Sequence, residues 1–124
     1  MLEAGTFVSE DGKHTLVITS VNFQEGTFTG TFTATETPLG AFTYPESAFT
    51  GSWLYTAERA TINYGIACSY RNDQQGYTYV LRDYWVGTSG DTPSQITLSG
   101  SRSYTTKAGG QQLFSFENLT FTRQ

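Results

Sequence analysis

Asp83 and Arg102 are the two residues of this 124-residue chain whose types could together orient a charged or polar ligand. Tyr77, Tyr79, Leu81, Asp83 and Trp85 alternate onto one face of an extended segment, and Ile96, Leu98, Gly100, Arg102 and Tyr104 onto one face of the next. If both faces point into one enclosure, Asp83 and Arg102 enter the same half of it, where a guanidinium fork and a carboxylate could fix an anionic or polar ligand. The simpler expectation is a salt bridge at a rim, with Arg102 at the wet end. Phe32, Trp53, Tyr70 and Trp85 could form an aromatic box for a planar ligand, or could be ordinary core packing.

The remaining reactive side chains point to no catalytic constellation. His14 is the single histidine, with no Ser, Cys or Asp at a telling spacing and no Gly-x-Ser-x-Gly turn, so a nucleophilic triad is unsupported. One His and the lone Cys68 on separate strands make no metal-ligand set. A single cysteine also forms no intrachain disulfide, and Cys68 reads as a small apolar strand residue. Glu117 and Asp83 could be paired acids, but nothing in the sequence fixes their separation. Asn118-Leu119-Thr120 matches a glycosylation sequon, more simply a chance match inside a strand.

The elements that must carry these residues are strands. Period-two alternation recurs along the chain, and nowhere do apolar residues repeat at helical spacing for three turns. Eight strands are expected: Thr6–Ser9, His14–Val21, Thr27–Thr35, Ser47–Tyr55, Ala60–Arg71, Tyr77–Val86, Gln95–Thr105 and Gln112–Thr122. Phe28, Gly30, Phe32 and Ala34 share one face of the third, with Thr27, Thr29, Thr31 and Thr33 on the other. Phe49, Gly51, Trp53 and Tyr55 share a face of the fourth, and Ile62, Tyr64, Ile66, Cys68 and Tyr70 a face of the fifth. Glu36 to Glu46, with Pro38, Gly40 and Pro45, reads as the longest irregular loop, and 72–76 as a polar hairpin loop. Inward Gly30 and Gly51, beside Phe32 and Trp53, should leave space where the wall bends or where another group approaches closely, giving an aromatic-lined cavity with local gaps.

The connections are too short for parallel crossovers, so neighbours are antiparallel. Closing eight such strands removes both raw edges. The expected fold is therefore all-β, an eight-stranded antiparallel up-and-down meander barrel, with a two-sheet sandwich as the alternative. Composition agrees. Aromatic residues make up 15%, Gly is frequent at 13 and Pro sparse at 3, as suits pleated strands and tight turns. The length fits one domain, residues 1–124. Seven basic against 11 acidic residues give a net charge of -4; with no basic stripe, nucleic acid is not an expected partner, and no apolar stretch suggests a membrane helix. The amino terminus lacks a signal-peptide pattern, which fits a cytoplasmic protein or, slightly preferred, a secreted one in mature form.

Gly5-Thr6-Phe7, Gly12, Val17-Ile18-Thr19, Gly26 and Phe28-Thr29-Gly30-Thr31-Phe32 resemble the opening strands of the avidin and streptavidin family. Phe49-Thr50-Gly51, the stretch Ile62 to Asn72 with its Tyr70-Arg71-Asn72, and the closing Leu119-Thr120-Phe121-Thr122-Arg123 resemble later strands in matching order. The resemblance implies an avidin-like barrel that binds biotin or a related small molecule at one open end and assembles as a homodimer or homotetramer. It also implies that most of the polar grip on biotin is missing. Ser9 stands where a first-strand Asn is expected and can still donate, and the first-hairpin Ser falls at Lys13 or His14. Phe32 replaces a Tyr, Ala34 a Ser, Tyr70 a Trp, and Leu119, beside Asn118, the last-strand Asp. A seventh-strand Trp falls near Gly100 or Arg102.

The expected function is a non-enzymatic small-molecule-binding barrel with weak or no biotin binding and a changed, aromatic-lined pocket. The residues expected to bind are Ser9, Phe32, Trp53, Tyr70, Asp83, Trp85 and Arg102; no cofactor or metal is expected. Two alternatives stand beside it. One is a protein- or glycan-binding module, a lectin or protease inhibitor, working through the loops at 36–46 and 72–76. The other is an enzyme, a cyclase or isomerase, using the barrel as a reaction chamber. Outward Leu54, Val80, Tyr84 and Val86 could pack barrel on barrel.

Overall fold

The computed structural model describes every residue except 57, 59–60 and 73–75. Its strands are β1 (Gly5–Ser9), β2 (His14–Asn22), β3 (Thr27–Thr37), β4 (Gly40–Tyr44), β5 (Phe49–Thr56), β6 (Thr61–Arg71), β7 (Tyr79–Gly90), β8 (Gln95–Thr106) and β9 (Gln111–Arg123), with one 3-10 turn at Glu46–Ala48. All pairings are antiparallel. Pairing runs β1–β2–β3–β5–β6–β7–β8–β9 and returns to β1, so eight strands close the expected barrel and β4 is an addition on the flank of β3.

The alternation read from the sequence sorts the chain into an inner and an outer face. Phe28, Phe32 and Ala34 of β3, Phe49 and Trp53 of β5, and Ile62, Tyr64, Ile66 and Cys68 of β6 are buried. Outward threonines meet across strands, as Thr33 and Thr43 do through their hydroxyls at 2.9 Å; such pairs satisfy hydroxyls while favouring extended backbone. Gly30 and Gly51 open no gaps. A Cβ on Gly30 would lie 1.9 Å from the Val17 carbonyl oxygen, and one on Gly51 would lie 2.5 Å from the Phe28 ring, so these are places of close approach. Tyr55, expected inward, is exposed. On the outer face Leu54, Tyr84 and Val86 are exposed, while Val80 is half-buried.

Two expectations about loops are corrected. The segment Glu36 to Glu46 is not irregular: it holds β4, in which Tyr44 pairs with Phe32 and Phe42 with Ala34, and Phe42 and Tyr44 turn toward the barrel by ordinary two-residue alternation. Tyr77 does not start a strand. It sits at φ 61°, exposed, with Arg71 stacked 4.1 Å from its ring centre. Ala60, and the middle of the hairpin loop at 72–76, lie outside the described residues.

The two ends of the barrel differ. At one end Leu2 joins the core, and the Arg123 guanidinium donates to the carbonyls of Glu3, Ala4 and Pro93, folding the amino-terminal segment against the wall. The other end carries the β1–β2 turn, the β3–β4 turn and the β8–β9 hairpin. Midway along its length β9 departs from strict alternation. Gly100 pairs with Phe116 but Leu98 pairs with Leu119, so Ser99 faces two residues. Asn118 takes φ 51°, and its backbone N–H donates to Ser99 Oγ at 2.9 Å. A bulge of this kind re-aims the side chains beyond it: Phe114 and Phe116 turn inward, and Glu117 faces solvent.

Gly100 lets the Trp85 indole lie across β8 to stack on Phe116 of β9, ring centres 5.2 Å apart and planes 15° apart. A Cβ at residue 100 would be 2.3 Å from the indole. Gly100→Ala should therefore destabilise the protein by about 1–3 kcal/mol and shift tryptophan emission, read by urea unfolding and fluorescence. Unchanged stability and spectrum would refute this packing.

Candidate functional site

The inner faces of β7 and β8 place Asp83 directly opposite Arg102, as the shared-face reading anticipates. The rim is where the expectation fails. The two side chains are 0% and 1% exposed, so this is a buried pair. Arg102 Nε donates to both Asp83 oxygens at 2.9 and 3.1 Å, and Nη2 donates to Oδ2 at 2.7 Å. The Tyr44 hydroxyl donates to Oδ1 at 2.7 Å and Trp85 Nε1 to Oδ2 at 3.0 Å. Burial, and then the Asp83 charge, push the Tyr44 phenol far above its ordinary range, so it stays a donor. Cys68, paired across the sheet with Asp83, is pushed up to about 12 by burial first and the same charge second, and remains a thiol at neutral pH.

Above this network the barrel opens into a cavity of about 470 Å³. Asp11, Lys13 and His14 line one side, Glu36 to Pro38 another, and Arg102, Phe114 and Phe116 the floor and far wall. The β1–β2 turn builds the first side: Ser9 Oγ donates to Asp11 Oδ1 at 2.5 Å and accepts from the His14 backbone N–H at 3.0 Å, and the Lys13 N–H donates to Asp11 Oδ1 at 2.9 Å. That short polar turn delivers the His14 ring against Phe116 and Trp85, at centroid distances of 4.9 and 5.1 Å. The His14 side chain is 3% exposed and its Nδ1 lies 3.9 Å from Asp11 Oδ1, beyond hydrogen-bond length. Nδ1 is buried without a hydrogen-bond partner. Lys13 Nζ pairs with Glu36 at 3.1 Å across the opening. The Asp11 carboxyl sits below its ordinary range: desolvation acts to raise it and is outweighed by hydrogen bonds from Ser9 and Lys13 together with the charges of His14 and Lys13.

The candidate residues do not all converge. Phe32 and Trp85 meet, ring centres 5.2 Å apart, beneath His14. Trp53 sits toward the opposite end, packed on Phe23 and donating to the Thr27 carbonyl; it pairs with Tyr64, four residues along β6 from Cys68, or about 13 Å at strand rise. Tyr70 packs against Phe42 and Tyr79 on the β4 side. The four-ring box is therefore not formed. Ser9 is engaged in its turn. Glu117, on the outer surface, is separated from buried Asp83 by the barrel wall, so the paired-acid arrangement is not formed either. Sequence reading missed Tyr44, Phe114 and Phe116. The alternation of Phe42 and Tyr44 between two prolines is the signal that was there for the first; for the other two the bulge at Asn118 is the cause.

Compared with solved structures, the chain is similar to that of apo shwanavidin, with a TM-score of 0.52 and 16% identity, over 100% of this chain and 97% of that one. The likeness shows an avidin-like fold. No protein-family model matches the sequence, and no curated protein sequence matches it.

The burial of His14 predicts a fold sensitive to acid. Burial first, then the Arg102 charge, hold the imidazole below its ordinary 6.5, with Lys13 adding to this and Asp11 and Asp83 opposing it. The unfolded chain thus takes up the proton before the folded one. His14's contribution to stability is whole above pH 6.5 and is lost as pH falls from there toward the folded-state value. Urea unfolding from about pH 7.5 to about pH 5 should show stability declining on acidification, with a shallower decline in His14→Gln. An equal slope in the variant would contradict the assignment.

Proposed function

We propose that this protein is a non-enzymatic binder of a small, flat molecule, held in the mouth cavity and resting on Phe114 and Phe116. The observation that carries the reading is the cavity itself: about 470 Å³, open at one end and floored by buried Arg102 and half-buried Phe116. Such concave sites, mostly apolar with a few convergent polar groups, are where small ligands bind.

The lumen below is a poor host for a biotin-type guest. Phe32 and Ala34 bring no side-chain donor or acceptor, and Asp83, Arg102, Tyr44 and Trp85 already bond to one another. A polar guest would have to break that network, and each buried group left unpaired would cost about 1–3 kcal/mol. We therefore infer weak or no biotin binding. A non-enzymatic role is supported by the state of the reactive groups: Asp83 is saturated by donors, Cys68 is a buried thiol, and His14 has aromatic rings for neighbours.

A Trp53→Phe protein keeps Trp85 as its one tryptophan, selectively excited at the red edge and stacked on the proposed contact residue. Titrating it with a panel of flat compounds, neutral and charged, should yield at least one that saturably changes Trp85 emission. Phe116→Ala should weaken that compound about tenfold or more, and biotin should give no saturable change at millimolar concentration. A panel without a hit, or a hit whose affinity survives Phe116→Ala, would overturn the placement.

A further inference from the structure

We propose that the mouth cavity selects a small aryl carboxylate, one oxygen taken by Nη1 of Arg102 and the other by Nδ1 of His14, with the ring against Phe114 and Phe116. This rests on the mouth cavity being the binding site and goes beyond it by naming the ligand's chemistry.

Two residues that line this cavity, Arg102 and His14, each carry a buried nitrogen with hydrogen-bonding capacity unspent, and His14 Nδ1 is a donor once its ring is protonated. Arg102 commits Nε and Nη2 to Asp83, but Nη1 has only the Glu36 carbonyl at 3.5 Å, the outer limit of a hydrogen bond. His14 Nδ1 has no hydrogen-bond partner although its side chain is 3% exposed. A buried polar atom without a partner is uncommon and calls for an occupant. Arg102 Cζ and the His14 ring centre each lie 4.9 Å from the centre of the Phe116 ring, so both donors border the same aromatic wall. A planar carboxylate offers two acceptors in one rigid group, which a guanidinium edge and an imidazole N–H can share.

Charge decides the coupling to protons. The groups that face His14 are Asp11 and Lys13 from the β1–β2 turn, Asp83 from β7 and Arg102 from β8, with Glu36 across the opening. Lys13 pairs with Glu36 and Arg102 with Asp83, while Asp11 Oδ1 already accepts from Ser9 and Lys13. In the free site burial, and then the Arg102 charge, act against a proton on His14. An arriving carboxylate adds a negative charge beside Nδ1, so the anion and a proton on His14 should bind together.

Because His14 is the single histidine, its imidazole resonances need no assignment. The test uses the intact protein, with benzoate and 2-naphthoate as probes and benzamide and 2-naphthamide as neutral counterparts, each to about 10 mM. Expected are saturable binding of the acids, binding of the amides at least about tenfold weaker, and a His14 titration moved to higher pH by the acids alone. Acid affinity should rise as pH falls from about 8 to about 5, by at most about tenfold per pH unit. His14→Asn, which keeps an N–H near the Nδ1 position, should retain binding but lose its pH dependence. Amides that bind as well as the acids, or a His14 titration unmoved by bound acid, would overturn the carboxylate assignment while leaving the mouth cavity as the site. Acids that fail to bind while a neutral flat compound changes Trp85 emission would do the same. Failure of every compound would remove both readings.

Discussion

The Asp83–Arg102 ion pair is the interaction around which the open half of this barrel is arranged. Withdrawing two charges from water costs several kcal/mol per ion, and mutual attraction compensates only when the remaining lone pairs and protons are also met. Asp83 meets that condition: three groups besides the bare Coulomb attraction are fitted to it, the Arg102 fork, the Tyr44 hydroxyl and the Trp85 indole N–H. These come from β8, β4 and β7. The carboxylate thus ties β4, which is paired along one edge only, onto the barrel, and fixes the rotamer of the indole that stacks on Phe116.

That arrangement sets where the cavity lies. With the middle of the lumen filled by mutually bonded side chains, the cavity lies above them, between the β1–β2 turn, the β3–β4 turn and the inner face of β9. The closed end, sealed by Leu2 and the Arg123 clasp, leaves a single approach. What remains above the network is a cup with an aromatic wall of Phe114 and Phe116, bordered by Arg102 and His14. Trp53, which an aromatic-box reading would count as a ligand contact, becomes a core residue of the far half.

Much of this was legible in the chain. Alternation in Thr27–Thr35 and in Ile62–Tyr70 reports which side chains face inward because a closed barrel buries one face of every strand, and short polar turns force antiparallel neighbours. Asp83 and Arg102 fell on inward faces by the same count. Their depth was not legible, since alternation gives the face of a residue and not its height along the axis. Nor does alternation survive a bulge: strict period two through 112–122 would set Glu117 beside Leu119 and Phe121, and only the left-handed Asn118 exchanges it for Phe116. The strand Gly40–Tyr44 was masked by flanking prolines that ordinarily signal a loop, although its own Phe42 and Tyr44 alternate correctly. Tyr44 finds its purpose only through Asp83, 39 residues away.

The most direct test is a double-mutant cycle on stability with Asp83→Leu, Arg102→Met and the two combined. A buried, mutually dependent pair predicts a loss of about 3–5 kcal/mol for each single change and a double variant at least about 2 kcal/mol more stable than the sum of the two would give. Single losses below about 1 kcal/mol that simply add would mean a solvated rim pair, and the cup described here would lose its floor.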